Sequence, residues 1–188
     1  TLNKIDMLPQ VGNVKEKGYE ILYFNDYLDE FTIKAMHKYK DFEFQNVMDE
    51  NFDLDSKEEK EALEKINNDN KDMFLLMKEI LKDDVSNIRF TNKLKDYPVC
   101  LSSVGEISIE MEKTLNAMPG QEKVKANKVL EINESHPISD KLKDLYKTDK
   151  ELLEKYTKVL YETSRQLNGL PMDKPNEFAD IICSIIAK

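Results

Sequence analysis

The carboxyl-terminal stretch constrains this chain more than any other part. It makes two apolar helix faces, and nothing follows in the 188 residues to cover them. Residues 149–168 carry Leu152, Leu153, Tyr156, Val159, Leu160, Thr163 and Leu167 at helical spacing. After Gly169-Leu170-Pro171 and a second proline, Pro175, comes the stretch 176–187. There Phe178, Ile181, Ile182, Ile185 and Ile186 follow the i, i+3, i+4, i+7, i+8 pattern of one buried stripe. A helix of about a dozen residues is marginal alone in water. Either earlier segments bury this stripe or a second copy does, through a four-helix bundle across a two-fold axis. Pattern alone leaves both open.

Composition narrows the partners. The net charge is −9, from 28 basic and 37 acidic residues. That balance argues against a nucleic acid held by phosphate contacts and against an anionic membrane surface. No apolar run approaches the roughly 18 residues of a spanning helix. Thr1-Leu2-Asn3-Lys4-Ile5-Asp6 is not a signal peptide, and without an initial Met the expectation is a fragment of a longer protein. Cys100 and Cys183 stand apart, with no CxxC, so a reducing compartment is expected.

The chain divides in two by pattern. Residues 10–48 alternate as an αβαβ unit: a short helix ended by Gly18, a strand at 19–24, a helix from Asp26 to about Lys40, and a second strand at 42–48. This predicts a small parallel sheet covered by helices. Residues 49–72 then hold ten acidic and four basic residues, a solvated linker that becomes an exposed helix. Ser56 is the expected N-cap and Glu59 its capping-box partner. The boundary therefore falls between domains 1–55 and 56–188. The second domain reads as helix 73–81, strands 85–91 and 98–102 joined by a turn, helices 107–118 and 121–132, a helix capped by Ser139, and the terminal pair. The fold class is helix-rich α+β.

Three constellations could carry chemistry. Asp26, Asp29 and Glu30 follow a predicted strand end, where a divalent cation could sit. A small metal-dependent α/β enzyme is one reading. The ordinary one is an N-cap with acids at the positive end of a helix dipole. His37 and His136 have no partner motif for metal or proton transfer. Ile107, Met111, Leu115 and Met118 form a stripe after the loop Val104-Gly105-Glu106. It is either core packing or an adaptable Met-containing binding face. An unrelated dimeric adaptor would share the terminal helices.

Taken together, five runs resemble one family. Gly18-Tyr19-Glu20-Ile21-Leu22-Tyr23-Phe24 followed by Asp26-Tyr27-Leu28-Asp29-Glu30 resembles the G-x-E-V-L-Y-x-x-D-x-I-D-E run in the middle domain of the heat shock protein 90 chaperones. Thr91-Asn92-Lys93-Leu94 with Tyr97-Pro98-Val99-Cys100-Leu101 is similar to their S-x-R-L-x-x-S-P-x-C-L strand pair. Met111-Glu112-Lys113 stands where they have M-E-R, and Leu130-Glu131-Ile132-Asn133 with His136-Pro137-Ile138 where they have L-E-I-N-P-x-H-P-I. Leu160-Tyr161-Glu162 resembles the L-Y-E/D-T-A of their penultimate helix.

The resemblance implies the end of the middle domain, a small αβα unit, plus the carboxyl-terminal dimerisation domain of a bacterial-type, cytoplasmic member. Such a chaperone is driven by ATP and clamps unfolded clients between two protomers. ATP and its magnesium would lie in an amino-terminal domain outside this chain, so the fragment itself would be no enzyme and hold no cofactor. Leu152, Tyr156, Val159, Leu160, Thr163, Leu167, Phe178, Ile181, Ile182, Ile185 and Ile186 would build the homodimer's four-helix bundle. Ile107, Met111, Leu115 and Met118 would touch clients. Lys93 and Lys113 replace family arginines, which puts any bidentate pairing there in question. The ending Ile185-Ile186-Ala187-Lys188 lacks the acidic tail of eukaryotic members, so co-chaperones that read that tail are not expected.

Overall fold

The structure, a computed structural model, describes residues 8–26, 28–120 and 122–187. The first residues of the chain, Tyr27 of the run at 18–30, Gln121 of the expected 121–132 helix and Lys188 lie outside them. The described order is α1 (Val11–Glu16), α2 (Asp29–Met36), β1 (Lys38–Tyr39), β2 (Phe42–Glu43), α3 (Lys57–Asp69), α4 (Lys71–Leu81), β3 (Asn87–Thr91), β4 (Val99–Val104), α5 (Ile109–Ala117), β5 (Asn127–Asn133), α6 (Pro137–Thr148), α7 (Lys150–Leu167) and α8 (Pro175–Ile186). The fold is helix-rich α+β, as expected.

One three-stranded sheet organises the second half of the chain. Its order is β3-β5-β4, with β5 parallel to β3 and antiparallel to β4. The run 127–133 is therefore the central strand, not the helix expected over 121–132. Its Lys, Leu and Glu residues favour a helix only weakly, and pairing on both sides overrides that preference. For the same reason β3 and β4 are not the hairpin that their spacing predicts, because β5 inserts between them. Register places Ile88, Leu130 and Leu101 in one row and Phe90, Ile132 and Val99 in the next. These six face a core completed by Met73 and Met77 of α4, Leu142 and Leu145 of α6, and Leu153, Leu160 and Tyr161 of α7. Phe74 meets Phe90 edge-on, with centroids 4.9 Å apart.

Both outer edges of the sheet are closed. The Phe90 N–H donates to Asn67 Oδ1 at 2.8 Å, and Asn67 Nδ2 donates back to the Phe90 carbonyl at 3.2 Å. One side-chain amide thus stands in for a missing strand. On β4, the Ser103 N–H donates to the Met48 carbonyl, and the Glu50 N–H to the Ser103 carbonyl, each at 3.1 Å. Covering edges in this way prevents adventitious strand pairing.

The amino-terminal segment differs most from its sequence pattern. Residues 19–24 form no strand, and the only sheet before residue 50 among the described residues is the two-residue antiparallel pair β1–β2. No parallel sheet forms there. A strand needs a neighbour to satisfy its backbone, and no described strand runs beside 19–24. Tyr19, Leu22 and Phe24 are accordingly exposed. The segment does dock on the rest of the chain: Gln10 Nε2 donates to the Leu101 carbonyl, and Asn13 Nδ2 to that of Asn92.

The expected capping box at α3 is present. The Glu59 N–H donates to Ser56 Oγ at 3.2 Å, and the Ser56 N–H to Glu59 Oε2 at 2.7 Å. The Ser56 N–H, and then the Ser56 hydroxyl, hold the Glu59 carboxyl below the usual carboxylate range. Ser56→Ala is expected to cost about 1 kcal/mol and to fray the first turn of α3, seen as faster amide exchange at 57–60 with the sheet unaffected. At α6 the cap is His136, whose Nδ1 accepts from the Ile138 N–H at 3.2 Å. Ser139, the expected cap, lies one turn inside and is fully buried, because Pro137 supplies the first helical residue without needing an N–H partner.

Candidate functional site

α7 carries two distinct apolar faces. Leu153, Thr157, Leu160, Tyr161 and Ser164 are buried inside the chain. Leu160, grouped from its spacing with the outer stripe, belongs to this inner face and the chain's own core. Leu152, Tyr156, Val159, Thr163 and Leu167 remain partly exposed, although Leu152 and Tyr156 also pack in part against that core. α8 packs against α7, with Lys155 Nζ donating to Ser184 Oγ at 3.0 Å. Yet no residue of α8 is buried. Phe178, Ile181, Ile182 and Ile185 are half-covered, and Ile186 is 78% exposed. The connector between the two helices is well held. Arg165 pairs with Glu162 at 3.0 Å and with Asp173 at 2.8 Å, and donates to the Pro171 carbonyl at 2.6 Å. Its guanidinium keeps the Asp173 carboxyl below the usual range. α8 is thus an apolar helix on a fixed mount, with its stripe only half covered.

α5 is the second apolar feature. Ser108 caps it, accepting from the Met111 N–H at 3.0 Å. Only Ile109 of the helix is buried. Ile107, Met111 and Leu115 are half-exposed and Met118 is exposed. Gly105, with φ at 86°, makes the turn that leads into it. The four expected contact residues therefore sit on one accessible element rather than in the core.

A third feature escaped the sequence reading. Register aligns Arg89, Glu131 and Cys100 across the sheet face opposite the core. Glu131 is fully buried. Arg89 Nε donates to its Oε1 at 2.9 Å, and Lys93 Nζ lies 3.3 Å from the same oxygen. Lys93 Nζ also donates to the Asp49 and Glu50 carbonyls at 3.2 and 2.7 Å, and Arg89 Nη2 to that of Glu50 at 2.9 Å. Lys93, where the family motif has arginine, makes single-point contacts from a compact ammonium and not a planar fork. This charged row ties the acidic linker to the sheet. Burial, then the Glu131 charge, pushes the Cys100 thiol well above its ordinary pKa. Read as a central strand, an acid between Leu130 and Ile132 demands a cation.

The acidic trio does not converge. Asp29 Oδ2 accepts from the Asn25 and Asp26 N–H groups at 2.9 and 2.8 Å. Asp26 Oδ1 accepts from the Leu28 N–H at 3.0 Å, and Glu30 Oε2 from Ser108 Oγ at 2.7 Å. These carboxylates organise the entry to α2 and the cap of α5. Among the described residues no cluster of three His, Cys, Asp or Glu side chains is arranged to hold a metal. Cys183 is exposed on α8 and Cys100 is buried in β4. No described helix is long and apolar enough to cross a membrane.

Comparison with known proteins fits these features. The family model described as Hsp90 protein matches residues 1–188. The chain is 45% identical over 183 residues to the chaperone protein HtpG of Bacillus velezensis, covering 97% of this chain and 29% of that protein. It is 46% identical over 185 residues to HtpG of Clostridium acetobutylicum, again 97% of this chain and 29% of the relative. With HtpG of Natranaerobius thermophilus the match is 44% over 187 residues, 100% of this chain and 30% of the relative. The chain thus spans less than a third of the length of these relatives.

Proposed function

Because the chain belongs to the Hsp90 protein family, of HtpG type, we propose that it is the dimerising, client-facing part of a molecular chaperone. The observation that carries this is the exposed stripe of α8. A twelve-residue helix with five large apolar residues, four half-covered, one exposed and none buried, retains much of its driving force for burial. Its position on the fixed Arg165 connector suits a second copy, since two α7–α8 pairs related by a two-fold axis make a four-helix bundle. Leu152, Tyr156, Val159, Thr163 and Leu167 contribute the α7 side of that bundle. Linking the protomers at this end turns closure of more distant parts into an intramolecular event with a high effective concentration. The half-exposed Ile107, Met111, Leu115 and Met118 then offer an adaptable surface to unfolded clients. ATP and magnesium chemistry belongs to parts of the whole protein outside this chain, which acts in the cytoplasm and needs no cofactor of its own.

Sedimentation equilibrium tests the dimer. A version ending at Asp173 keeps the buried Leu170 and the Arg165 partner but removes α8. A dimer for the whole chain and a monomer for the shortened one is the expected outcome. Monomers in both cases would remove the basis for the bundle. Suppression of aggregation of an unfolding test protein checks the client surface, and a dimer without it would be an adaptor.

A further inference from the structure

Polar clamps from three other segments converge on α5. At its start, Glu30 of α2 accepts from Ser108 Oγ at 2.7 Å, and Lys34 of α2 donates to the Glu106 carbonyl at 2.6 Å and reaches Met111 Sδ at 3.0 Å. On its inner side, Glu112 accepts from the Ala126 N–H at 2.7 Å and pairs with the buried Lys128 at 2.5 Å. Along its flank, Lys113 Nζ donates to the Asn168 carbonyl at 2.8 Å, at the end of α7 and one residue before the connector to α8. Against these stands one buried apolar side chain, Ile109.

We propose that α5 is held in place by these clamps rather than by packing, and that Glu30, Lys34 and Lys113 are its positioning residues. α2 on one side and the α7–α8 connector on the other jointly set how the Ile107–Met118 stripe is presented. The consequence for clients rests on the reading of α5 as their contact surface; the attachment itself does not. Apolar contact fades gradually as elements slide, whereas a charge-assisted hydrogen bond is lost within about an ångström of movement. A shift of α2, or of the connector, therefore releases the helix instead of dragging it along.

Amide hydrogen exchange on the whole chain without client is the test. Glu30→Ala with Lys34→Met, and separately Lys113→Met, are each expected to speed exchange at 109–117 roughly tenfold, since hydrogen bonds to charged groups contribute on that scale. Exchange in β5 stays as it was. Lys113→Arg, which still donates to Asn168, keeps α5 slow. Unchanged α5 exchange in both variants, or equal acceleration in β5, overturns the proposal. Suppression of test-protein aggregation by the same variants separates the two readings. Faster α5 exchange with unaltered suppression removes the client role and leaves the clamps standing. Altered suppression with unaltered exchange does the reverse.

Discussion

Ile182→Ala together with Ile185→Ala is expected to dissociate the proposed dimer while leaving each protomer folded. Truncating a buried isoleucine costs roughly 2–5 kcal/mol, and two-fold symmetry applies both substitutions twice. Even with partial burial the dimer constant should weaken by about three decades or more. The protomer should be indifferent, because no residue of α8 is buried within the single chain. Leu160→Ala is the contrasting control. Leu160 lies in the chain's own core, so its loss should lower the melting temperature of the protomer itself. Sedimentation equilibrium and thermal unfolding on the same samples distinguish the two. A dimer constant untouched by the double substitution would dismiss α8 as the interface.

The second large effect is expected at the buried ionic row. Glu131→Gln should destabilise the chain by about 3 kcal/mol, at the low end of the cost of removing one partner from a buried pair. The low end applies because Arg89 retains partial exposure and its bond to the Glu50 carbonyl. For a chain of this size the midpoint should fall by roughly 10 °C. Glu131→Leu combined with Arg89→Met and Lys93→Met should recover much of that loss, since apolar replacement of a whole buried ionic group is often neutral. Thermal unfolding of the single and triple variants decides the matter. Equal loss in both would mean that packing volume, not the unpaired cations, dominates. Cys100 provides a second readout: without the Glu131 charge its thiol should titrate lower, though burial keeps it above the ordinary value.

Where the sequence reading succeeded, the signal was local. The Ser56–Glu59 capping box needs only four consecutive residues, and it is formed. The terminal helices follow from apolar spacing plus Asp149 and Pro175, and they run within a residue or so of expectation. Gly18 ends its helix with a φ of 79°, as a glycine there can. The exposed helix from the acidic linker was likewise visible in spacing alone, whereas spacing left the α5 stripe open between core and surface.

Where it failed, the outcome depended on a distant neighbour. Residues 19–24 have the composition of a strand but no strand beside them among the described residues, and so form none. Residues 127–133 have mixed composition but two partners, and become the centre of the sheet. The clamps on α5 from α2 and from the end of α7 join residues 55 to 78 positions apart, such as Lys113 with Asn168 and Glu30 with Ser108. No periodicity announces them.

The sequence by itself determined most of the helical stretches (though not that 127–133 is a strand), where several of them start and stop, and that the last of them carries an apolar stripe. Those features arise from bonds and contacts within a few residues, which spacing encodes directly. Only the tertiary structure decided that Leu160 turns inward while Ile186 stays outside, that Glu131 is buried against Arg89 and Lys93, and that α5 is fastened by charge. Each of these depends on which segment arrives from far along the chain, and burial is a property of that arrival rather than of the residue.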